Sequence, residues 1–373
     1  MTATLAESML DGAPTVAGHE ARFGPLPQIP PDRLLAMIEA SGLKGRGGAK
    51  FPAHRKLRAL AARHGRKVVV GNGAEGEPAS AKDRMLLAAN PHLVLDGLHL
   101  VGQLTGAQCR FLYAPTIPKA ATERGVHCVQ SPHYFLAGEE SALASRLSGG
   151  PGLPTYKRPP VFERGVHGRP TLVHNVETLA QIALIARYGP DWFRATESML
   201  VTVTRADGIP RVAQVPAGVR IGDLIGVGAS EVLVGGYHGG WLPAALAADR
   251  PLATMPGAAV IVGLGPDRCG LVETAHVATY LANESARQCG PCLSALPLIA
   301  ETMRLLARRG RQPGARERLE RWAVLVTGRG GCHHPDGSVR FIRSALQVFA
   351  PEIALHESGR CRASTYQPLL PVT

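Results

Sequence analysis

The chain has 373 residues, of which 45% are hydrophobic, and it carries a formal net charge of +12. This length predicts two or three domains rather than one small core. There is no run of roughly eighteen apolar residues, so no transmembrane helix is expected. Residues 1–24 lack the basic start and apolar stretch of a secretory signal. We therefore expect a cytoplasmic protein, or one peripheral to a membrane through a partner.

The basic residues are spread along the chain, but two clusters stand out, at 54–67 and 304–321. Aromatic residues are not interleaved with either cluster, so nucleic acid is not expected as a partner. An acidic protein such as an electron carrier would complement this charge, while solvated helix faces are the simpler explanation.

Residues 1–30 are punctuated by proline and glycine, which predicts an extended lead-in. From residue 31 to 197, helical and strand patterns alternate, and this alternation predicts an α/β domain with a mostly parallel sheet. In chain order, the predicted elements are a helix from Pro31, a helix ending at Gly65, a strand at 67–70, a helix through 93–104, strands at 109–114, 126–129 and 134–137, and helices at 138–147 and 176–189.

The pattern changes after Trp192. Short strands surround one helical turn at 221–226, which predicts a small α+β module at 198–272. Residues 273–358 are almost entirely helical in pattern and predict a helical domain, with 359–373 as a tail.

Three of the seven cysteines have a spacing typical of a metal site. Cys289 and Cys292 stand two residues apart, and Cys332 follows forty residues later with two histidines behind it. Such a step lets one turn of chain place two thiolates on one ion or cluster. Of the remaining cysteines, the first three are interpreted as core thiols and the fourth, in the tail, has no assignment: Cys109, Cys128, Cys269 and Cys361.

A glycine cluster, Gly45-Arg46-Gly47-Gly48, lies just before a predicted helix. Glycines allow a phosphate to approach the backbone, the helix start offers free N–H donors, and Arg46 adds a charged fork. A purely structural glycine turn is the alternative.

A second loop runs from Asn72 to Pro78, directly after the predicted strand at 67–70. Open α/β sheets bind ligands at the carboxyl ends of their strands. Asn72 could therefore pair with the edge of a flavin ring, and Glu75 and Glu77 could hold ribose hydroxyls or position a nicotinamide.

Two further segments add polar groups at predicted helix starts. The first, Tyr134 to Glu140, ends in two glutamates, which the helix dipole alone would also explain. The second, Gly168 to Thr178, contributes an imidazole and an amide at His174 and Asn175.

In their order and spacing, these four motifs and the cysteine array resemble the NADH-oxidising flavoprotein subunit of respiratory complex I. Related members are the diaphorase subunits of soluble hydrogenases and formate dehydrogenases. The resemblance covers about residues 33–356. It implies a Rossmann-like domain that binds FMN and NADH at 31–197, a ubiquitin-like β-grasp module at 198–272, and a helical bundle that carries a [4Fe-4S] cluster at 273–358.

The resemblance also implies roles for individual residues. The FMN phosphate and ribityl chain would be held by the glycine cluster and a lysine, that is by Gly45, Arg46, Gly47, Gly48 and Lys56. Phe51 and Glu77 would contact the dinucleotide. The flavin supplies the reactivity, so no catalytic side chain is assigned. The isoalloxazine and the stacked nicotinamide would be surrounded by Asn72, Glu75, Tyr134, Gly138, Glu139, Glu140, His174 and Asn175.

The chain departs from the family pattern at several of these positions (Lys50 in place of glycine, Ala74 in place of aspartate, Ala137 in place of cysteine, His174 in place of a second asparagine). The aromatic pair that clamps the adenine of NADH falls at Ala59 and Val161. Losing such stacking costs about 1–3 kcal/mol. The donor is therefore expected to be NADH or another reductant.

The cysteine array departs too, because Ala286 stands where the family has its first cluster cysteine. Three cysteines permit a [3Fe-4S] cluster, a [4Fe-4S] cluster with an open iron, or a fourth ligand from His333 or His334. Zinc bound by three cysteines and one histidine, or thiols without metal, are the alternatives.

The resemblance thus predicts an oxidoreductase subunit that passes electrons from its donor through FMN to the cluster. An acidic ferredoxin-like or thioredoxin-like iron–sulfur protein would be the acceptor, within a larger oxidoreductase complex. Two alternatives are a non-catalytic iron–sulfur relay or assembly module with a degenerate NADH site, and a zinc-stabilised interaction protein.

Overall fold

The computed structural model describes residues 8–155, 158–365 and 367–372. The chain folds into two compact units. The predicted β-grasp and helical modules fall mainly in the second. The first unit comprises residues up to Gly76, Ala81–Leu200 and Val212–Ala217, and the second comprises Glu77–Ser80, Val201–Arg211 and the chain from Gly218 on.

The first unit is built on a four-stranded sheet with helices around it. Its strands are all parallel, as predicted. The elements in chain order are α1 Val16–Phe23, α2 Pro31–Ser41, α3 Ala53–Ala61, β1 Val68–Asn72, α4 Lys82–Ala89, α5 Pro91–Thr105, β2 Cys109–Ala114, α6 Lys119–Glu123, β3 His127–Gln130, a 3-10 turn at Phe135–Gly138, α7 Glu140–Leu147, a 3-10 turn at Val166–Gly168, β4 Thr171–Asn175 and α8 Val176–Thr196.

The strand order of this sheet creates a crevice. The order is β3-β2-β1-β4. From β1, the chain adds β2 and then β3 on one side, and β4 is then added on the other side of β1. In the β1–β4 register, Gly71 is opposite His174 and Asn72 is opposite Asn175. The carboxyl ends of β1 and β4 therefore flank the topological switch point, where open α/β sheets bind ligands.

The core of this unit depends on close packing between α5 and α8. A Cβ added at Gly97 in α5 would lie 1.9 Å from the carbonyl oxygen of Leu179 in α8. The two helix backbones are therefore in direct contact at a point where only glycine fits.

Beside that contact, the Asp96 carboxylate is buried in a basic network. His19 Nε2 lies 2.8 Å from it, Arg187 Nη2 2.5 Å and Arg124 Nη1 2.7 Å. Although burial acts to raise the pKa of Asp96, hydrogen bonds from His19 and Arg187 and the charge of Arg124 hold it well below its usual range. The carboxylate therefore stays ionised and joins α1 to α5 and α8.

The structure differs from two of the sequence expectations. Residues 1–30 were expected to be extended, but they contain α1, whose Phe23 packs into the core because His19 is anchored on Asp96. The strand predicted at 134–137 is the 3-10 turn Phe135–Gly138. The chain turns there because Glu139 immediately caps the start of α7.

The rest of the chain forms a mixed sheet and a set of helices, which lie in the second unit except for residues 198–200 and 212–216 of the sheet. The elements in chain order are β5 Ser198–Thr204, β6 Pro210–Pro216, α9 Ile221–Ile225, β7 Glu231–Val234, a 3-10 turn at Gly236–His238, β8 Gly240–Pro243, α10 Ala244–Ala247, a 3-10 turn at Leu252–Thr254, β9 Val260–Leu264, α11 Gly270–Asn283, a π-helical turn at Pro291–Ala295, α12 Leu296–Ala307, α13 Ala315–Val326, α14 His334–Val348 and α15 Ala350–Glu357.

Its sheet has the strand order β6-β5-β9-β7-β8. The first and last strands of this sheet in chain order, β5 and β9, pair in parallel at its centre. Strand β7 is antiparallel to both β8 and β9. This is the arrangement of a β-grasp fold, as expected. Among the described residues, no helix is both long and apolar enough to cross a bilayer.

Replacing Gly97 with alanine is expected to destabilise the protein by about 2–3 kcal/mol, because the new methyl group forces α5 and α8 apart. Urea unfolding followed by circular dichroism measures this loss. Gly12→Ala is the control, since its Cβ would have no neighbour closer than 3.9 Å. Equal unfolding midpoints for the two variants would contradict the proposed close contact.

Candidate functional site

A cleft opens at the carboxyl ends of β1 and β4, at the switch point of the sheet. It brings together nine of the residues predicted to bind cofactors, along with four others that the prediction did not include. Its lining consists of Gly45, Gly47, Phe51, Lys56, Asn72, Gly138, Glu140, His174 and Asn175, with Ala49, Lys50, Val173 and Thr178.

Asn72 organises one wall of the cleft. Its Nδ2 donates to the carbonyl oxygen of Gly138 at 2.9 Å, and its Oδ1 accepts from the backbone N–H of Ala74 at 3.1 Å. A Cβ at Gly138 would lie 3.0 Å from the carbonyl oxygen of Ala74. The wall is thus tied together by the amide and leaves little room for a larger residue at 138.

His174 supplies an unmet hydrogen bond to the cleft. The side chain is buried, and its Nε2 has no hydrogen-bond partner among the residues that the structure describes. Burial, followed by the nearby charge of Lys56, lowers the pKa of His174 to about 3. The ring is therefore neutral at physiological pH, and a polar ligand could satisfy its nitrogen.

Two lysines make the cleft electropositive. Lys56 forms an ion pair with Glu140, in which the lysine is partly exposed. Lys50 has a φ of 50°, a left-handed conformation that glycine adopts more readily than other residues. Burial and then the charges of Arg46 and Lys44 lower the pKa of Lys50, which reflects a concentration of positive charge. An anionic group is the natural ligand for such a site.

Arg46 does not present its guanidinium to this cleft. Its Nε donates to Gln181 at 2.8 Å and its Nη2 to Glu197 at 2.9 Å, while its backbone N–H donates to Thr178 at 2.9 Å. Arg46 thus fastens the glycine turn to α8. The sequence does not reveal Thr178 and Gln181 as partners of Arg46, because a polar residue on each of two successive helical turns is a common pattern.

The acidic loop after β1 also has structural contacts. Glu75 accepts from the backbone N–H groups of Asp83 at 3.1 Å and Arg84 at 3.3 Å, so it caps α4. Glu77 accepts from the backbone N–H of Tyr237 at 2.8 Å, within the second unit. Neither carboxylate is part of the cleft lining.

Three more predicted residues lie outside the lining. The Tyr134 hydroxyl donates to the carbonyl oxygen of Gly152. Glu139 caps α7 by accepting from the backbone N–H of Ala142 at 2.9 Å. Gly48 has a φ of 98° and allows the turn that precedes α3. These residues shape the loops around the cleft.

A buried ion cluster stands behind Asn175. Lys82 Nζ lies 2.6 Å from Asp83 and 2.9 Å from Glu177, and Asn175 Nδ2 donates to Asp83 at 2.6 Å. Although burial opposes it, the charges of Asp83 and Glu177 raise the pKa of Lys82. The cluster fixes the Asn175 amide. Its members were overlooked as site residues because charged side chains are usually solvated.

The second candidate site contains the three predicted metal-binding cysteines. Cys292 and Cys332 are buried, and Cys289 is half-buried. Burial, then the neighbouring thiols of Cys289 and Cys332, raise the pKa of Cys292 to about 12. The fold therefore brings the three thiols together, even though forty residues separate Cys292 from Cys332.

The two histidines that follow Cys332 differ in their availability. His334 is buried, with Nδ1 3.1 Å from His238 Nε2 and Nε2 2.8 Å from the carbonyl oxygen of Leu281. His333 is exposed at the start of α14. Ser285, the residue before Ala286, has a buried hydroxyl with no hydrogen-bond partner among the described residues. Of the two histidines, only His333 could turn to a cluster without breaking buried hydrogen bonds.

Comparison with known families matches both sites. Residues 38–184 match the Nuo51 FMN-binding domain, and residues 273–356 match the NADH-ubiquinone oxidoreductase-F iron-sulfur binding region. The first range contains the whole cleft lining, and the second contains the three cysteines and His333.

Relatives match over most of the chain. An NADH-quinone oxidoreductase subunit of Rhizobium meliloti is 25% identical, covering 92% of this chain and 93% of its own length. An NADH-quinone oxidoreductase subunit of Escherichia coli is 26% identical, covering 90% and 86%.

Among solved structures, NAD+-reducing [NiFe]-hydrogenase in the H2-reduced state aligns with a TM-score of 0.82 and 29% identity over 89% of this chain. The chain spans 63% of the length of that hydrogenase chain.

The predicted resemblance is confirmed, and with it the fold class. Two family models match in the expected order, and relatives match across both units of the chain. The chain belongs to the family of NADH-binding FMN and iron–sulfur subunits, whose members pass electrons from NADH through FMN to an iron–sulfur cluster.

Proposed function

We propose that this chain oxidises NADH with an FMN bound in the β1–β4 cleft and delivers the electrons to an iron–sulfur cluster at Cys289, Cys292 and Cys332. The observation that carries the proposal is the cleft itself. It lies at the switch point of a parallel sheet, is lined by glycines and lysines, and contains a neutral buried imidazole with an unmet hydrogen bond.

The cleft residues divide by chemistry between the two ends of FMN. Lys56 and the glycine turn at Gly45 and Gly47 suit the phosphate, because an ammonium group and accessible backbone suit an anion. Asn72 and His174 suit the polar edge of the ring. When bound, FMN supplies a hydride acceptor that can release electrons singly.

The Lys56–Glu140 pair keeps the lysine positioned at the cleft. The Lys56 side chain is 31% exposed in the pair and that of Glu140 is 46% exposed, so both remain accessible to a ligand. Surface ion pairs are worth little, roughly 0–1 kcal/mol, so a phosphate can displace the carboxylate at small cost.

At the cluster site, we propose three cysteine ligands, with His333 or a non-protein ligand in the fourth place. Ala286 offers no donor atom where the family has a cysteine. A cluster with an incomplete cysteine set has an iron that is accessible or easily lost.

For the electron acceptor, we propose an acidic ferredoxin-like or thioredoxin-like iron–sulfur protein within a larger oxidoreductase complex. Arginines along α12, α13 and the loop between them are exposed, which supports an acidic partner. They are Arg304, Arg308, Arg309, Arg311, Arg316 and Arg321.

The function is tested by mixing anaerobically purified protein with NADH and following the flavin absorbance. We expect FMN to co-purify and to bleach on mixing.

Lys56→Gln should weaken FMN binding about 10- to 100-fold, because it removes a charged hydrogen-bond donor. Arg58→Gln is the control, since Arg58 lies on the same helix but pairs with Glu39 outside the cleft. Bound flavin that does not bleach would favour the non-catalytic relay.

Replacing Ala286 with cysteine should complete the ligand set of the cluster. Iron is expected to rise from about three to about four atoms per chain, or the existing cluster to become more resistant to air. Iron and sulfide analysis with EPR spectroscopy measures the change.

Gln288→Cys is the control, because it adds a thiol to the same loop at an exposed position outside the family's ligand place. An unchanged iron content and spectrum in Ala286→Cys would mean that a protein ligand already fills the fourth place or that no cluster forms.

Electron transfer to an acidic iron–sulfur carrier should slow as ionic strength rises. Arg311→Glu should lower the rate at low salt about fourfold, because two charge units at about 10 Å in water are worth about 0.8 kcal/mol. Arg66→Glu makes the same charge change in the other basic cluster and should have little effect. A rate independent of salt would remove the docking surface from the proposal.

A further inference from the structure

A second group of potential metal ligands lies in the second unit, outside the cysteine array already described. Cys269 immediately precedes α11, Glu352 and His356 lie on α15, and Cys361 follows in the tail. Their ligand atoms all lie within 4.8 Å of one another. Glu352, His356 and Cys269 are buried, and Cys361 is half-buried. We propose that these four residues bind a zinc ion in a tetrahedral site.

The distances fit one ion. Cys269 Sγ lies 3.5 Å from His356 Nε2, and Glu352 Oε1 lies 3.3 Å from the same nitrogen. With bond lengths of about 2.3 Å to sulfur, 2.05 Å to nitrogen and 2.1 Å to oxygen, a tetrahedral zinc ion sets these edges at about 3.6 and 3.4 Å. Two thiolates, an imidazole and a carboxylate are all established zinc ligands.

The orientation of His356 supports a metal at its Nε2. Its Nδ1 lies 3.1 Å from the carbonyl oxygen of Leu306 and can donate to it. A neutral ring in this orientation carries its lone pair on Nε2, the atom that faces Cys269 and Glu352. Metal-binding histidines commonly have their other nitrogen fixed in this way.

The surroundings offset the charge of a loaded site. Arg362 Nε lies 3.3 Å from Glu352 Oε2, the carboxylate oxygen that does not face His356. Two thiolates and one carboxylate exceed the charge of Zn²⁺ by one. The Arg362 guanidinium, which also pairs with Glu231 at 2.6 Å, offsets part of that excess.

A zinc ion here would fasten the tail to the helical region. Cys269 and Cys361 flank the entire sequence that carries Cys289, Cys292 and Cys332. The proposed ion therefore ties together both ends of the segment that holds the cluster cysteines, while leaving those cysteines to iron.

Metal analysis of the full-length protein, expressed with zinc in the medium and purified without a histidine tag, tests the proposal. We expect about one zinc per chain in addition to the iron. Cys361→Ser should lower zinc to less than about a tenth per chain and leave iron unchanged. The matched control, Cys292→Ser, should lower iron and leave zinc unchanged.

The unaltered protein decides the question even if a variant fails to fold. Absence of zinc would overturn the proposal. If zinc is absent, thiol titration of the denatured protein shows whether Cys269 and Cys361 are free thiols or react only after reduction. A requirement for a reductant would identify a disulfide between them. Zinc retained in a folded Cys269→Ser, Cys361→Ser double variant would overturn the proposal equally.

Discussion

The cleft depends on one constraint, the in-register parallel pairing of β1 with β4. Because a parallel ladder aligns equivalent ends, Asn72 and Asn175 are brought to the same edge, with His174 one residue before the end. If the register of β4 against β1 shifted by one residue, the side chains of His174 and Asn175 would each point to the opposite face of the sheet. The register is supported by the buried Lys82–Asp83–Glu177 cluster, which fixes Asn175, and by the contact between α5 and α8.

The cleft and its lining were largely predictable from the sequence. Glycines before a helix and polar residues after a buried strand have direct physical meanings, and the structure brings Gly45, Asn72 and His174 together in one cleft. Arg46 shows the limit of this reasoning. A guanidinium beside glycines predicts phosphate binding, yet here it binds Gln181 and Glu197 instead, which only the tertiary fold brings near.

The same limit applies to the acidic residues and to the buried charges. Glu75 and Glu139 cap helices, a role that local sequence allows but cannot distinguish from ligand binding. The Lys82 cluster could not be predicted, because burial of a lysine depends on partners that lie far away in sequence. Cys361, which had no assignment, gains a proposed role only through its proximity to Cys269, Glu352 and His356.

Lys50 lowers the stability of the empty protein and at the same time favours the binding of an anion. A side chain other than glycine in the left-handed region costs roughly 1–2 kcal/mol, and Lys50 adopts that region with a φ of 50° beside two other cations. The fold is therefore less stable than it would be with glycine. An anion bound in the cleft would offset the repulsion among these cations, so the protein should be more resistant to unfolding when loaded than when empty.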